Sequence, residues 1–102
     1  MPRVAIIGVG QSEFVRAYPG SVRELACEGF KEAMKDAAIS VKDIDASVVC
    51  SAPEYDKQRS PAGVLAEYLG LTPQPTFYVE TLCSSSSTGL KLAYSLVKSG
   101  LH

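Results

Sequence analysis

One residue of this chain combines reactive chemistry with a setting that would activate it. Cys83 lies in the run ETLCSSSSTG at 80–89, after a stretch rich in aromatic and β-branched residues and before an amphipathic stretch. The pattern predicts that a strand delivers Cys83 to the first residues of a helix. Free backbone N–H groups and the positive end of the helix dipole favour a thiolate there, which would be an activated nucleophile.

The residues that follow Cys83 suit such a nucleophile. The serines at 84–87 are small, can cap a helix and leave room for a bulky thioester, and Gly89 permits close packing one turn later. A strand-to-helix turn also exposes its side chain at the carboxyl end of a parallel strand, where open sheets bind ligands. Cysteines are nevertheless often simply buried, so these physical arguments give a nucleophile and a buried structural cysteine equal weight.

The other candidates favour structural roles. Gly8 and Gly10 resemble the start of a dinucleotide-binding turn, but Glu13 stands where a third glycine should be, so a tight turn after a strand is favoured. Cys27 and Cys50 are interpreted as small packing residues. Loop carboxylates that could act as an acid or base, and the tyrosines, are interpreted as solvated or packing groups: Glu13, Glu54, Asp56, Tyr18, Tyr55 and Tyr68.

Composition excludes several classes of function. The 102 residues carry a net charge of -1 with scattered Lys and Arg, so there is no basic stripe for nucleic acid or anionic lipid. No apolar run approaches the roughly 20 residues that span a bilayer, and the opening at 2–8 is too short for a signal peptide. Three cysteines without a CxxC pair and one histidine, His102, make no familiar zinc site. We expect a cytoplasmic protein with reduced thiols and no metal, nucleic-acid or membrane partner.

The elements that would position Cys83 alternate along the chain. Apolar patterning predicts strands at 3–9, 44–51 and 76–82. It predicts helices at 21–38, where Ser21 and Glu24 form a capping box, at 61–69 after Ser60, and at 84–99, where Leu90, Ala93, Leu96 and Val97 share a face. This order predicts an α/β fold with a parallel sheet. Because the last helix has no strand after it, the chain is expected to be truncated.

The segment VETLCSS at 79–85 is similar to the one around the acylated cysteine of thiolases, and the similarity extends to VAIIGVG at 4–10 and to PAG at 61–63. The chain resembles most the acetyl-CoA acetyltransferases akin to the thiolase part of sterol carrier proteins. The resemblance implies that 1–102 is the first, incomplete part of a thiolase-type amino-terminal domain, a βαβαβα unit truncated before the later strands. Cys83 would take an acyl group from an acyl-CoA substrate, with no separate cofactor.

The resemblance also implies groups that this sequence does not match. Thiolases need a histidine, a second cysteine in a glycine-rich loop and an oxyanion hole from later segments, whereas His102, Cys27 and Cys50 stand in no matching motif. The serines at 85–87 replace an alanine or glycine stretch. We therefore expect the chain alone to be inactive, and the exposed edge of the 3–9 strand to favour a homo-oligomer or association with a chain that supplies the remainder.

The sequence is compatible with three functions. The chain is the nucleophile-bearing part of an acetyl-CoA acetyltransferase, or a non-catalytic thiolase-like subunit that associates through the strand at 77–82, or a small α/β domain that binds a nucleotide at 8–10.

Overall fold

A computed structural model of the chain describes residues 3–17, 19–51, 61–100 and 102. The elements in chain order are α1 (Val22–Ala37), β1 (Ser47–Cys50), α2 (Pro61–Tyr68), β2 (Thr76–Val79) and α3 (Ser85–Lys98), with a 3-10 turn at Val41–Asp43. The chain divides into two units, one of Ala5–Asp43 and one of Met1–Val4 with Ile44–His102. None of the described helices is long and apolar enough to cross a membrane.

The second unit is a βαβα arrangement around a parallel pair of strands. β1 and β2 pair in register from Ser47 opposite Thr76 to Cys50 opposite Val79. α2 connects the two strands and packs against both, and α3 follows β2 and also packs against both. This part of the predicted α/β fold is confirmed. β1 is shorter than the predicted 44–51 at both ends, and β2 begins at Thr76 as predicted but ends three residues earlier than predicted. The predicted N-cap Ser60 lies outside the described residues, as do Tyr18, Glu54, Tyr55 and Asp56.

The buried apolar side chains of the described residues are few. Leu65 and Ala66 of α2 and Leu71 just after it are buried, and the other large apolar side chains are half-buried or exposed. On α3, Ala93 and Leu96 of the predicted apolar face are half-buried, but Leu90 and Val97 are exposed. The predicted face is therefore only partly covered within the described residues, at its inner two members.

Helix α1 in the first unit begins and ends as its sequence predicts. The Ser21 hydroxyl accepts a hydrogen bond from the Glu24 amide at 3.2 Å, and the Glu24 carboxylate accepts one from the Ser21 amide, which completes the capping box. At the other end Ala38 adopts left-handed backbone with φ 56°, and its N–H bonds back to the last turn. Local side-chain chemistry therefore sets both ends of this helix.

The prediction of a strand at 3–9 is wrong. These residues have no regular secondary structure, and Ile6 and Ile7 are 73% and 65% exposed. The reason is that apolar, β-branched residues form a strand only when a neighbouring strand accepts their hydrogen bonds. Within the Ala5–Asp43 unit the described neighbour is instead a helix, whose backbone groups bond internally. The Asp36 carboxylate accepts from the Val9 amide at 3.0 Å.

Gly8 and Gly10 have a packing role in this unit. A Cβ at Gly8 would lie 2.5 Å from the Ala33 carbonyl oxygen and 2.7 Å from the Ala37 Cβ, and one at Gly10 would overlap the Gly29 carbonyl oxygen. Both glycines therefore let the segment approach the backbone of α1 closely. The prediction of a tight turn after a strand is wrong, and this close contact explains the glycine pair without a bound dinucleotide.

Candidate active site

Cys83 lies on the connection between β2 and α3. β2 ends at Val79 and the first helical residue is Ser85, with Ser84 as N-cap. Cys83 is therefore just outside the helix, one residue before the N-cap, and the prediction that it occupies the first helical residues is wrong by that margin. The cause is Leu82, whose φ of 53° turns the chain after the strand before the helix starts.

The three cysteines have different surroundings. Cys83 is exposed, Cys27 and Cys50 are half-buried, and all three are free thiols. The interpretation of Cys83 as a buried structural cysteine is therefore wrong. Cys50 lies on β1 against Gly89 of α3, where an added Cβ would overlap its sulfur. Burial disfavours the charged thiolate and raises the pKa of the Cys50 thiol. Cys83 is thus the accessible thiol at the end of the sheet.

Side-chain hydrogen bonds hold the connection that carries Cys83. The Glu80 carboxylate accepts from the Leu82 amide at 2.7 Å. The Thr81 hydroxyl lies 2.9 Å from the Ser84 hydroxyl and 3.0 Å from the Thr88 hydroxyl. Residues on both sides of Cys83 are therefore bonded to each other, which limits the backbone freedom of Cys83.

Ser85 is the buried residue of this network. Its side chain is 4% exposed. Its hydroxyl accepts from the Thr81 amide at 2.8 Å and donates to the Leu82 carbonyl at 2.8 Å, and it lies 3.3 Å from the carbonyl oxygen of Ser51 at the end of β1. Because β1 and β2 are parallel, their carboxyl ends meet at one edge, and Ser85 joins them there.

The serines do not cap α3 as predicted. Ser84 makes no side-chain capping bond; its hydroxyl instead donates to the Thr81 carbonyl at 2.9 Å. The sequence pattern does not distinguish Ser85 within its run of four serines. The signal present in the sequence is that Ser85 lies four residues after Thr81, whose amide its hydroxyl accepts from. Gly89, predicted to allow close packing, is buried against Cys50, and that prediction is confirmed.

The remaining candidate residues lie apart from this network. The ring of His102 packs against Phe77 of β2 in an edge-to-face contact with centroids 6.4 Å apart. Cys27 is on α1, in the other unit. Glu13 and Tyr68 are exposed. Among the described residues, no group of three or more His, Cys, Asp or Glu side chains could hold a metal ion.

No protein-family model matches the chain. The chain is 36% identical over 104 residues to an acetyl-CoA acetyltransferase of Methanothermobacter thermautotrophicus and 40% identical over 102 residues to one of Methanocaldococcus jannaschii. These alignments cover 100% and 98% of the chain but 27% and 26% of the relatives. A β-ketoacyl-[acyl-carrier-protein] synthase III of Rickettsia massiliae is 41% identical over 78 residues, 76% of the chain and 25% of that protein.

A solved structure has the same fold. The crystal structure of 3-oxoacyl-[acyl-carrier-protein] synthase III from Aquifex aeolicus superposes with a TM-score of 0.69 over 82% of the chain and 27% of that protein, at 24% identity. The chain therefore spans about a quarter of the length of the relatives it matches.

Proposed function

This chain belongs to the thiolase family and spans about a quarter of the length of its relatives, and we propose that Cys83 is the acyl-accepting nucleophile of an acetyl-CoA acetyltransferase. The observation that carries the proposal is the exposed Cys83 thiol on a hydrogen-bonded turn at the carboxyl end of a parallel strand. Ligands approach open α/β sheets from this edge.

The chemistry proceeds in two steps. The Cys83 sulfur attacks the thioester carbonyl of acetyl-CoA, the bond to the coenzyme A sulfur breaks, and the thiol proton ends on coenzyme A. A second acetyl-CoA, deprotonated at its methyl carbon, then takes the acetyl group and leaves acetoacetyl-CoA and the free Cys83 thiol. The covalent intermediate divides one difficult condensation into two easier steps. The coenzyme A thioester is the substrate, and the reaction uses no separate cofactor.

The second step needs a base, and the first needs a group to activate the thiol. His102, the single histidine of the sequence, packs on Phe77. Cys50 is held against Gly89. Neither residue stands in a motif that would accept the thiol proton or the methyl proton. We therefore propose that Cys83 accepts an acyl group but that the chain alone does not turn over, and that it acts with the remainder of a thiolase fold in the cytoplasm. Sustained acetoacetyl-CoA formation by the purified chain contradicts this part.

Labelling tests the nucleophile directly. Chloroacetyl-CoA alkylates a thiol that lies beside the place where the protein binds its coenzyme A part. Mass spectrometry of peptides identifies the modified residue. We expect Cys83 to be modified ahead of Cys27 and Cys50, acetyl-CoA to protect it, and Cys83→Ser to abolish the modification. Cys27→Ser and Cys50→Ser are the matched controls and should label as the native chain does. Equal modification of the three cysteines, or none, favours a non-catalytic subunit.

A further inference from the structure

The turn before Cys83 contains an unfavourable backbone conformation. Leu82 has a φ of 53°, in the left-handed region that residues with a Cβ seldom adopt. Its side chain is 58% exposed, so packing of that side chain does not account for the conformation. Such a conformation persists only where surrounding interactions hold it, and it commonly marks a functional turn.

The Glu80 carboxylate accepts from the Leu82 amide at 2.7 Å, and the Ser85 backbone amide donates to the Leu82 carbonyl at 3.2 Å. The hydroxyl of Ser85 supplies the buried part of these interactions. Its oxygen accepts from the Thr81 amide and donates to the Leu82 carbonyl, each at 2.8 Å, so one buried atom fixes the backbone on both sides of the Thr81–Leu82 peptide. Its approach to the Ser51 carbonyl at 3.3 Å joins the same turn to β1. Because Ser85 is 4% exposed, water cannot replace these bonds if the hydroxyl is removed.

We propose that Ser85 is a positioning residue for Cys83: it holds Leu82 in its left-handed conformation and thereby fixes where the Cys83 sulfur lies. The proposal rests on the role of Cys83 as acyl acceptor. Ser85 does not touch the substrate. Its effect is on the placement of the attacking sulfur, and displacement of a reacting atom by about 1 Å costs up to roughly a hundredfold in rate.

The rate and saturation of Cys83 alkylation by chloroacetyl-CoA in the full chain separate positioning from binding. The sulfur bonds to the α-carbon, chloride leaves and the thiol proton passes to solvent. For Ser85→Ala we expect kinact to fall by about tenfold or more with KI unchanged. Ser95→Ala, on the exposed part of the same helix, is the matched control and should react at the native rate.

A second substitution distinguishes positioning from a general loss of structure. Glycine adopts positive φ without strain, so Leu82→Gly added to Ser85→Ala is expected to restore most of the lost kinact, whereas Leu82→Ala added to Ser85→Ala is not. If Ser85→Ala fails to fold, as judged by circular dichroism, the glycine double variant is expected to recover both fold and rate. Native kinact in Ser85→Ala, or a glycine double variant that stays slow or unfolded, overturns the proposal.

The native chain reports separately on the acyl acceptor. Chloroacetamide carries the same alkylating group without coenzyme A. If the native chain shows no preference for chloroacetyl-CoA at Cys83, the proposed acyl acceptor fails. The positioning role is then read from the backbone: a crystal structure of Ser85→Ala in which Leu82 has left its left-handed conformation supports it, and an unchanged Leu82 overturns it.

Discussion

The contrast between Cys83 and Cys50 is a difference of environment at the scale of single residues. Both thiols lie near the carboxyl end of the sheet, but Cys83 is exposed on the turn whereas Cys50 faces the backbone of α3 at Gly89. Burial raises the pKa of the Cys50 thiol because the thiolate loses hydration. The unfolded chain therefore binds fewer protons at Cys50 than the folded chain does in the alkaline range.

This difference makes stability depend on pH. The stabilisation that Cys50 contributes to the folded state is fully present below the ordinary thiol pKa. It is lost as pH rises through the raised pKa that Cys50 has in the folded state. We expect the free energy of unfolding, measured by urea titration between about pH 7 and about pH 10, to fall with rising pH. The fall should be smaller in Cys50→Ala. Cys27→Ala, which removes a different thiol, is the matched control. If Cys50→Ala leaves the slope of unfolding free energy against pH unchanged, the expectation is contradicted.

The turn around Cys83 shows what residue types alone can predict. The place of Cys83 between a strand and a helix follows from the order of apolar patterns. The left-handed Leu82 does not, because leucine has no preference for that conformation and nonlocal hydrogen bonds from Ser85 impose it. Four adjacent serines look alike in sequence, and burial distinguishes one of them only after the strands have paired.

At the scale of elements, the contact of α3 with β1 depends on one glycine. Gly89 is buried, and an added Cβ would overlap the Cys50 sulfur. We expect Gly89→Ala to lower the free energy of unfolding. Overpacking costs about 1–3 kcal/mol, and a direct overlap lies at the upper end of that range. This cost exceeds the roughly 1 kcal/mol by which alanine stabilises a helix interior relative to glycine.

Urea denaturation of a small set of variants tests this contact. Gly63→Ala, in α2 with nothing within 4 Å of its Cβ, is the matched control and should gain about 0.5–1 kcal/mol. In the double variant Gly89→Ala with Cys50→Ala the sulfur is absent. The loss of unfolding free energy in the double variant should therefore be smaller than the sum of the losses in the two single variants. Strict additivity, or a stabilised Gly89→Ala, shows that the two residues do not meet.

The start of α1 offers a test of local chemistry. Ser21→Ala removes the side-chain acceptor of the Glu24 amide and is expected to cost about 1 kcal/mol of unfolding free energy. Ser21→Asp keeps an acceptor at the N-cap and should lose far less. Thermal unfolding followed by circular dichroism measures both, and equal losses would mean that the capping bond contributes nothing.

Helices in this chain follow from the sequence more closely than strands do. The caps and periodic faces of α1, α2 and α3 are local, so their positions agree with prediction to within one or two residues. The 3–9 segment has the composition of a strand but lies beside α1 at Gly8 and Gly10. Strand formation depends on a distant pairing partner, which composition does not reveal.

At the scale of the whole molecule, the exposed large apolar side chains outnumber the buried ones among the residues that the structure describes. Leu90, Tyr94 and Val97 recur on α3 at intervals of four and three, and all three are exposed. Residues at this spacing share one face of a helix. The described core is small by comparison, with Leu65, Ala66 and Leu71 buried. The Lys98 ammonium lies 5.3 Å from the centre of the Tyr94 ring, at one side of this face. An exposed apolar helix face promotes association with another protein surface.

We expect the chain to self-associate through this face of α3. In analytical ultracentrifugation the average mass should rise with concentration in the micromolar range, because each copy covers apolar surface of the other. Leu90→Lys with Val97→Lys places two charges on the face and should shift association to at least tenfold higher concentration, since burying an unpaired charge is costly. Ser95→Lys adds a charge elsewhere on the same helix and should leave association nearly unchanged. A native chain that is monomeric throughout, or a Ser95→Lys variant weakened as much as the double variant, would mean that this face is not the contact.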